Sequence, residues 1–250
     1  MGIDIKSPRE IDLMKKAGEI VAIVLDILKK RIKPGIITEE LDTIAVEELN
    51  RQGAKSSFKG YRGYPAHLCV SINDELVHGI PGKRVLNEGD IVTIDFGAIY
   101  NGFHGDAART IGVGQISDTA RKLIDTTDNA LKVGIETARN GARLGDVSNA
   151  IQSFVEANGF SVVREYAGHG IGRQMHEDPQ IPNYGMKGQG LVLKRGMALA
   201  LEPMVTVGDW HTKVGSDEWT VSTMDGSLCA HYEDTIIVTD GKAEILTALG

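Results

Sequence analysis

The chain repeats itself at a shift of 106 or 107 positions, and this repeat constrains the fold more than any other sequence feature. Gly35 to Gly53 encloses an apolar helical pattern, and Gly141 to Gly159 encloses another of the same length. Farther along, Leu86–Asp95 aligns with Leu193–Glu202, so an apolar strand pattern ends in an acidic residue twice. Helical periodicity can produce the first match by chance, but a carboxylate beside a buried strand is costly to repeat. The sequence therefore predicts two related halves, with the two terminal acids meeting near their interface.

Apolar periodicity predicts a mixture of helices and short strands. A capping box at 7–10 starts a first helix that ends before Pro34, and a second helix starts after Thr38 and stops near Gly53. Two more helices are expected at about 118–139 and 146–158, and apolar strands at 68–72, 91–95, 197–201 and 234–238. We therefore expect an α/β (α+β) fold, a sheet covered by helices. It would form one domain over 1–250, with halves of about 1–112 and 113–250.

Charge and cysteine content exclude several classes of protein. The chain has 27 basic and 34 acidic residues, a formal net charge of −7, which argues against a nucleic-acid-binding surface. Its two cysteines, Cys69 and Cys229, form no C-x-x-C pair, and no apolar run suits a signal peptide or a membrane span. We expect a cytoplasmic protein with neither a membrane nor a nucleic acid as partner.

A glycine-rich segment from Tyr166 to Tyr184 carries two histidines, His169 and His176. Glycines flank His169, and such a run is not a packed helix, because each glycine costs backbone entropy and adds no packing area. It suits a place where the main chain bends sharply or a ligand comes close. A surface loop with incidental histidines is the alternative, but four acidic residues elsewhere in the chain favour a site.

These four acids lie on or beside apolar strands, and they are Asp95, Asp106, Glu202 and Glu233. Salt bridges to Arg109 or Arg195 would satisfy one or two of them. Two divalent ions would instead neutralise all four formal charges, with His169 as a fifth ligand. One imidazole among carboxylates moves the metal preference from magnesium or calcium toward manganese, iron, cobalt or zinc.

The segment Gly168-His-Gly-Ile-Gly, followed by His176-Glu-x-Pro179, resembles the signature of type I methionine aminopeptidases. The four acids and His169 are similar, in type and order, to that family's five metal ligands, and the likeness extends from the first helix to the last strand. It implies the family's pita-bread fold, a duplicated pseudo-twofold structure in which two pairs of helices cover a mostly antiparallel curved sheet. Only 30 residues separate Glu202 from Glu233, which leaves no room for the extra subdomain of the type II enzymes.

The resemblance also implies a role for each residue. Asp95 would bind one of two divalent ions, Asp106 and Glu233 would bridge both, and His169 with Glu202 would hold the second. Glu202 would also take a proton from the attacking water, His176 would donate to the carbonyl oxygen, and His78 would donate to the nitrogen of the scissile bond. The methionine pocket would be lined by Phe58, Tyr61, Tyr64, Cys69, His78, Met175, His176 and Trp219, unless the aromatic residues belong simply to the core.

By this resemblance the substrates are the N-termini of nascent polypeptides with a small second residue, and we expect a monomer that can associate with the ribosome. The chain begins Met1-Gly2, which should make it its own substrate. Two alternatives share the fold: a prolidase or aminopeptidase P, and a binding module that has lost catalysis. The aromatic pocket residues argue against the first, and the presence of all five ligands argues against the second.

His231 departs from the family's pattern, because glutamine is usual at its place in Ala230-His-Tyr-Glu-Asp-Thr235. It lies two positions before Glu233 on a predicted strand, so both side chains should face the same way. Either it holds Glu233 through a neutral hydrogen bond, or it titrates and its protonation weakens metal binding in acid. The sequence leaves both possibilities open.

Overall fold

The structure is a computed structural model that describes residues 2–249 of the chain. Met1, whose removal is expected, lies outside the described residues. Within them the chain forms four α-helices, one short 3-10 turn at Tyr61–Gly63 and fifteen β-strands. The helices are α1 (Pro8–Arg31), α2 (Thr38–Arg51), α3 (Asp118–Thr137) and α4 (Leu144–Ala157). The strands are β1 (Lys55–Ser56), β2 (Cys69–Ile72), β3 (Glu75–Val77), β4 (Ile91–Tyr100), β5 (Phe103–Gly112), β6 (Ser161–Val162), β7 (Ala167–Gly170), β8 (Glu177–Pro182), β9 (Ala198–Leu201), β10 (Met204–Thr206), β11 (Thr212–Val214), β12 (Val221–Thr223), β13 (Cys229–His231), β14 (Glu233–Ile237) and β15 (Glu244–Ile245).

The helices lie where the sequence predicts them, with small differences at their ends. At the start of α1 the Glu10 carboxylate accepts a hydrogen bond of 3.0 Å from the backbone N–H of Ser7, as the predicted capping box requires. Helix α4 begins two residues earlier than expected, because Asp146 accepts from the backbone N–H of Arg143 at 2.9 Å and so belongs to its first turn. None of the helices within residues 2–249 combines the length and apolarity needed to cross a membrane.

Nine strands form the main sheet, in which every neighbouring pair is antiparallel. Its central path runs β1-β4-β5-β14-β9-β7-β8, with β2 beside β4 and β15 beside β14. The expected strands at 91–95 and 234–238 are β4 and β14, and β4 continues to Tyr100 to form a long hairpin with β5. The glycine-rich segment, which we expected to be a turn, is mainly the hairpin of β7 and β8.

Both helix pairs pack on one face of this sheet. Gly105 of β5 lies so close to α1 that an added Cβ would be 2.8 Å from the backbone nitrogen of Gly18. Gly134 of α3 is similarly close to Ile151 of α4 and faces Leu201 of β9. A large apolar core lies under each pair of helices. The opposite face of the central strands is therefore not covered by these helices.

Candidate metal centre

Strand register places three of the predicted ligands on one face. Asp95 of β4 pairs with Ala108 of β5, which pairs in turn with Glu233 of β14. Side chains of paired residues point the same way, and so do those two positions apart on one strand. Asp106, two residues before Ala108, therefore shares the face of Asp95 and Glu233. Gly105 approaches α1 from the other face, so these carboxylates lie opposite the helices.

The second half of the sheet contributes the other two predicted ligands by the same rule. His169 of β7 pairs with Ala200 of β9, and Ala200 pairs with Thr235 of β14. Glu202 follows Ala200 by two residues, and Thr235 follows Glu233 by two. All five predicted ligands thus face one side of the sheet, around the pairing of β5 with β14.

The atoms of this cluster lie at distances suited to shared cations. One ligand atom each from Asp106, His169 and Glu233 lie within 4.8 Å of one another. The Nε2 atom of His169 is 3.6 Å from Glu202 Oε1 and 3.9 Å from Glu233 Oε1, which is too long for hydrogen bonds. Its Nδ1 is 2.9 Å from the Gly170 carbonyl oxygen, so Nδ1–H donates there and the Nε2 lone pair faces the carboxylates.

The charges of the cluster call for a cation. Burial raises the pKa of Asp95 to about 7, and burial with neighbouring carboxylates raises the pKa values of Asp106, Glu202 and Glu233 well above the ordinary range. Asp95 Oδ1, Asp106 Oδ1 and Glu233 Oε1 are buried without a hydrogen-bond partner among residues 2–249. Buried, unpartnered carboxylate oxygens beside a free imidazole nitrogen form a donor set that fits a divalent cation.

The alternative of salt bridges to arginine is not what the structure has. The Arg109 guanidinium pairs with Asp234 at 2.5 Å and also donates to the backbone carbonyl of Glu233. Arg195 pairs with Asp240 at 2.9 Å. Both arginines therefore bind other acids, and the cluster is left without a cationic side chain from either.

His176 lies over this centre, with its ring 4.2 Å from that of His169. Its Nδ1 is 2.8 Å from the Tyr61 hydroxyl, and the two rings stack at 5.4 Å. Burial, followed by the nearby charge of Arg62, lowers the pKa of His176 to about 4, so the ring is neutral near pH 7. If the Tyr61 O–H donates to Nδ1, the proton of the neutral ring is on Nε2, which is then a donor.

A cavity of about 480 Å³ opens beside the carboxylates. The residues expected to form the methionine pocket all line it, namely Phe58, Tyr61, Tyr64, Cys69, His78, Met175, His176 and Trp219. Tyr64 packs edge-on against Phe58 and Trp219, with centroids 6.4 and 5.1 Å apart. Burial raises the pKa of the Cys69 thiol well above its usual range, so this thiol is neutral where it lines the cavity. His78 also adopts a left-handed φ of 62°, and burial lowers the pKa of its ring.

His231 lies beside the predicted ligands and is only 1% exposed. Its Nε2 is 3.8 Å from Glu202 Oε2 and 4.0 Å from Glu233 Oε2, and neither ring nitrogen has a hydrogen-bond partner among the described residues. Burial lowers the pKa of His231 to about 3. A ring that stays neutral at ordinary pH argues against the titrating possibility, but the hydrogen bond to Glu233 that the other possibility required is also absent among the described residues.

An ion pair that sequence reasoning did not predict fixes the segment that carries His176. Lys6, with a side chain only 2% exposed, donates to Glu177 Oε2 at 2.6 Å. The other oxygen of Glu177 accepts from the backbone N–H of Gln174 at 3.0 Å. A Cβ on Gly172 would lie 2.4 Å from Lys6 Nζ, so this position of the motif has no room for a side chain.

Comparison with known proteins decides the family. The model of metallopeptidase family M24 matches residues 12–240. The chain belongs to this family. Methionine aminopeptidase 1 of Bacillus subtilis is 54% identical, and the match covers 97% of this chain and 98% of that protein. A methionine aminopeptidase of Clostridium perfringens is 53% identical, over 99% of both chains.

Solved structures give the same result. The chain superimposes on the crystal structure of a methionine aminopeptidase from Thermotoga maritima with a TM-score of 0.98 and 50% identity, over 99% of this chain and 100% of that one. A prolidase from Pyrococcus furiosus gives a TM-score of 0.79 at 25% identity, and the match covers 98% of this chain but 66% of the prolidase. The predicted family and the predicted mixed, largely antiparallel fold are therefore confirmed.

Proposed function

We propose that this M24 enzyme is a methionine aminopeptidase that removes the initiator methionine from nascent polypeptides whose second residue is small. The observation that carries the proposal is the buried donor set on one sheet face, which opens directly onto an apolar, sulfur-containing and aromatic pocket. The near-complete coverage of relatives named methionine aminopeptidase supports it further.

The proposed centre holds two divalent ions, of cobalt, manganese, iron or zinc. Asp95, Asp106, His169, Glu202 and Glu233 would hold these ions. When bound, such ions would acidify a water molecule and polarise the scissile carbonyl. The four carboxylates would need this charge in order to ionise, because burial raises the pKa values of all four and neighbouring carboxylates raise those of Asp106, Glu202 and Glu233 further.

Glu202 is the proposed general base. Its two oxygens face different neighbours, with Oε1 toward His169 and Oε2 toward His231. A carboxylate of this kind can serve the cation cluster with one oxygen and accept the proton of the attacking water with the other. No lysine or arginine side chain within residues 2–249 pairs with Glu202, and burial together with the charge of Asp95 raises its pKa, so the carboxyl group has a high affinity for a proton.

His176 and His78 are the proposed donors to the scissile amide. The Tyr61 hydroxyl at Nδ1 of His176 favours a neutral ring with the proton on Nε2, which suits a donor to an oxygen that gains negative charge. His78 lies on the other side of the cavity, with its ring 6.4 Å from that of Trp219. Its left-handed backbone is the kind of local strain that functional sites tolerate.

The pocket accounts for selectivity at both ends of the cleaved bond. Met175, Cys69 and the aromatic rings offer soft, apolar walls that suit a thioether side chain. Tyr166, Met204 and His231 also line the cavity, and we propose that their side chains would exclude a bulky second residue. We therefore expect Met-Ala and Met-Gly starts to be processed and Met-Lys starts to be left intact.

One assay separates the candidate functions. Purified enzyme is loaded with each metal and offered Met-Gly-Met and an Xaa-Pro peptide, with and without a chelator. Chelator-sensitive release of methionine supports the proposal, and preferential cleavage of the Xaa-Pro peptide would favour a prolidase. No turnover with any divalent metal would favour a binding module.

Several broader assignments belong to the same proposal. Residues 1–112 and 113–250 would be pseudo-symmetric halves of one catalytic domain, as the separate core under each helix pair suggests. We further propose that the enzyme works in the cytoplasm as a monomer that acts on nascent N-termini and can associate with the ribosome, because nascent chains are its proposed substrates.

A further inference from the structure

Two arginine side chains flank the mouth of the catalytic cavity. Arg62 and Arg164 both line it and are both exposed at its rim. Aromatic rings hold the two guanidinium groups. Arg62 lies 5.4 Å from the centre of the Tyr61 ring, and Arg164 lies 5.4 and 5.3 Å from the centres of the Tyr184 and Trp210 rings. These contacts limit the motion of two flexible side chains at the place where a substrate must enter.

Neither guanidinium has a carboxylate within 4 Å anywhere in residues 2–249. The neighbouring Glu165 does not neutralise Arg164 in this way, since its Oε2 accepts from the backbone N–H of Thr212 at 2.7 Å and from the Thr212 hydroxyl. Other arginines near the site are paired, such as Arg173, which is 3.1 Å from Glu10. The rim therefore carries two positive charges that no close acid balances.

Arg62 also stands where the substrate chain would leave the catalytic cavity. A second cavity of about 590 Å³ shares Arg62, Ala167, His169, His176 and Gln180 with the first, so the two cavities adjoin at these residues. Three acidic residues, Asp4, Glu177 and Asp178, also line the second cavity, and the first two lie 3.4 and 2.6 Å from the Lys6 ammonium. Arg62 is the basic side chain that lines both cavities, and its charge contributes to the lowered pKa of His176.

The backbone fixes Arg62 at this junction. Its φ of 49° is left-handed, and Gly60 and Gly63 on either side have φ values of 83° and 93°. A side chain other than glycine is uncommon in this region and is retained where the surrounding turn holds it. Here the turn also holds Tyr61, the partner of His176.

We propose that Arg62 and Arg164 form a carboxylate-binding rim that makes the enzyme prefer nascent chains with Asp or Glu at the third and fourth positions. This preference rests on the proposed aminopeptidase function, since only a substrate whose first methionine fills the pocket places its next residues at the rim. Exposed charge pairs contribute modestly and are screened by salt, so the preference is one of degree.

The test uses peptides of the form Met-Ala-Xaa-Ser-Gly with amidated C-termini, where Xaa is Glu, Gln or Lys. At low ionic strength we expect kcat/KM to fall in the order Glu, Gln, Lys, with about threefold to tenfold between the ends, and to converge in roughly 0.5 M salt. A free C-terminal carboxylate on the Gln peptide should raise its rate if that group, rather than a side chain, reaches the rim. Such a rise without any gain from Glu would overturn the assignment to side chains.

Variants locate the effect. The double variant with Arg62→Gln and Arg164→Gln should cleave the three peptides with equal kcat/KM, and Arg62→Glu should reverse the order of their kcat/KM values. Arg31→Gln changes an exposed arginine at the end of α1 that lines neither cavity, and it should keep the wild-type order. Equal rates of the wild-type enzyme on all three peptides would overturn the proposed carboxylate-binding rim and would leave the proposed aminopeptidase function standing. An unchanged order in the double variant would also overturn it, and no methionine release from any peptide would sink both proposals.

Discussion

Replacing Lys6 by methionine tests how the N-terminal segment supports the catalytic turn. The Lys6 side chain is 2% exposed and Glu177 is 17% exposed, so the pair is nearly buried. Methionine keeps most of the apolar stem but leaves the Glu177 carboxylate without its ammonium. Removing one partner of a buried pair costs about 3–5 kcal/mol, and the partial exposure of Glu177 lowers our expectation to about 2–3 kcal/mol.

For a chain of this length that loss corresponds to a fall in melting temperature of roughly 4–12 °C. It should appear in thermal unfolding of the metal-loaded enzyme, with metal content unchanged. We also expect a several-fold lower kcat on a Met-Ala peptide, because Glu177 adjoins His176 and anchors Gln174. The double variant with Glu177→Gln should recover part of the lost stability, since it removes the stranded charge.

The matched control is Lys16→Met. Lys16 pairs with Glu19 at 2.9 Å, but their side chains are 39% and 52% exposed, so the loss should be within about 0.5 kcal/mol. If Lys6→Met melted within a degree of the control and kept the wild-type kcat, the argument that this pair holds the His176 turn would be wrong.

Four further predictions follow from the site. Asp106→Asn should lose bound metal, measured by elemental analysis, together with nearly all activity. Glu202→Gln should lose activity and retain metal. Full metal content in Asp106→Asn would contradict its proposed role as a metal ligand. His176→Ala should keep its metal and lose about 100-fold in rate, and a fast variant would remove it from the mechanism. His231→Gln should keep a rate within a few-fold of wild type. Its metal retention above pH 5 should have the same pH profile as that of the wild type, because the pKa of His231 is lowered to about 3. A profile shifted by the substitution would restore a titrating role. Chelated protein should lose stability as pH rises above about 7, since folding raises the pKa values of Asp106, Glu202 and Glu233 well above their ordinary range and the folded state keeps protons that the unfolded chain has released. The buried histidines have pKa values below 6.5 in the folded state and near 6.5 in the unfolded chain, so their titration does not change the free energy of unfolding in that pH range. Added metal should abolish the loss of stability.

The helices and the ligand-bearing strands could be predicted because their signals are local. Alternation on β4 and β14 and the caps of α1 are visible within a few residues, and the repeat indicated which strands correspond. The Lys6 to Glu177 pair could not be predicted, because it joins residues 171 positions apart and a lysine near the chain start resembles any solvated charge. The rim arginines were missed for the same reason, since exposed arginines carry no pattern of their own.

The glycines around His169 have a structural role that differs in part from the one that we expected. We expected them to allow a sharp bend or a close ligand, yet none of Gly168, Gly170 and Gly172 has a positive φ. A Cβ at Gly168 would lie 2.5 Å from the Ala200 carbonyl oxygen, and one at Gly170 would lie 2.1 Å from that of Asp178. Each glycine therefore admits a neighbouring backbone or, at Gly172, the Lys6 ammonium. The motif lets strands and the N-terminal segment close tightly around His169 and His176, and this packing fixes both rings over the carboxylates.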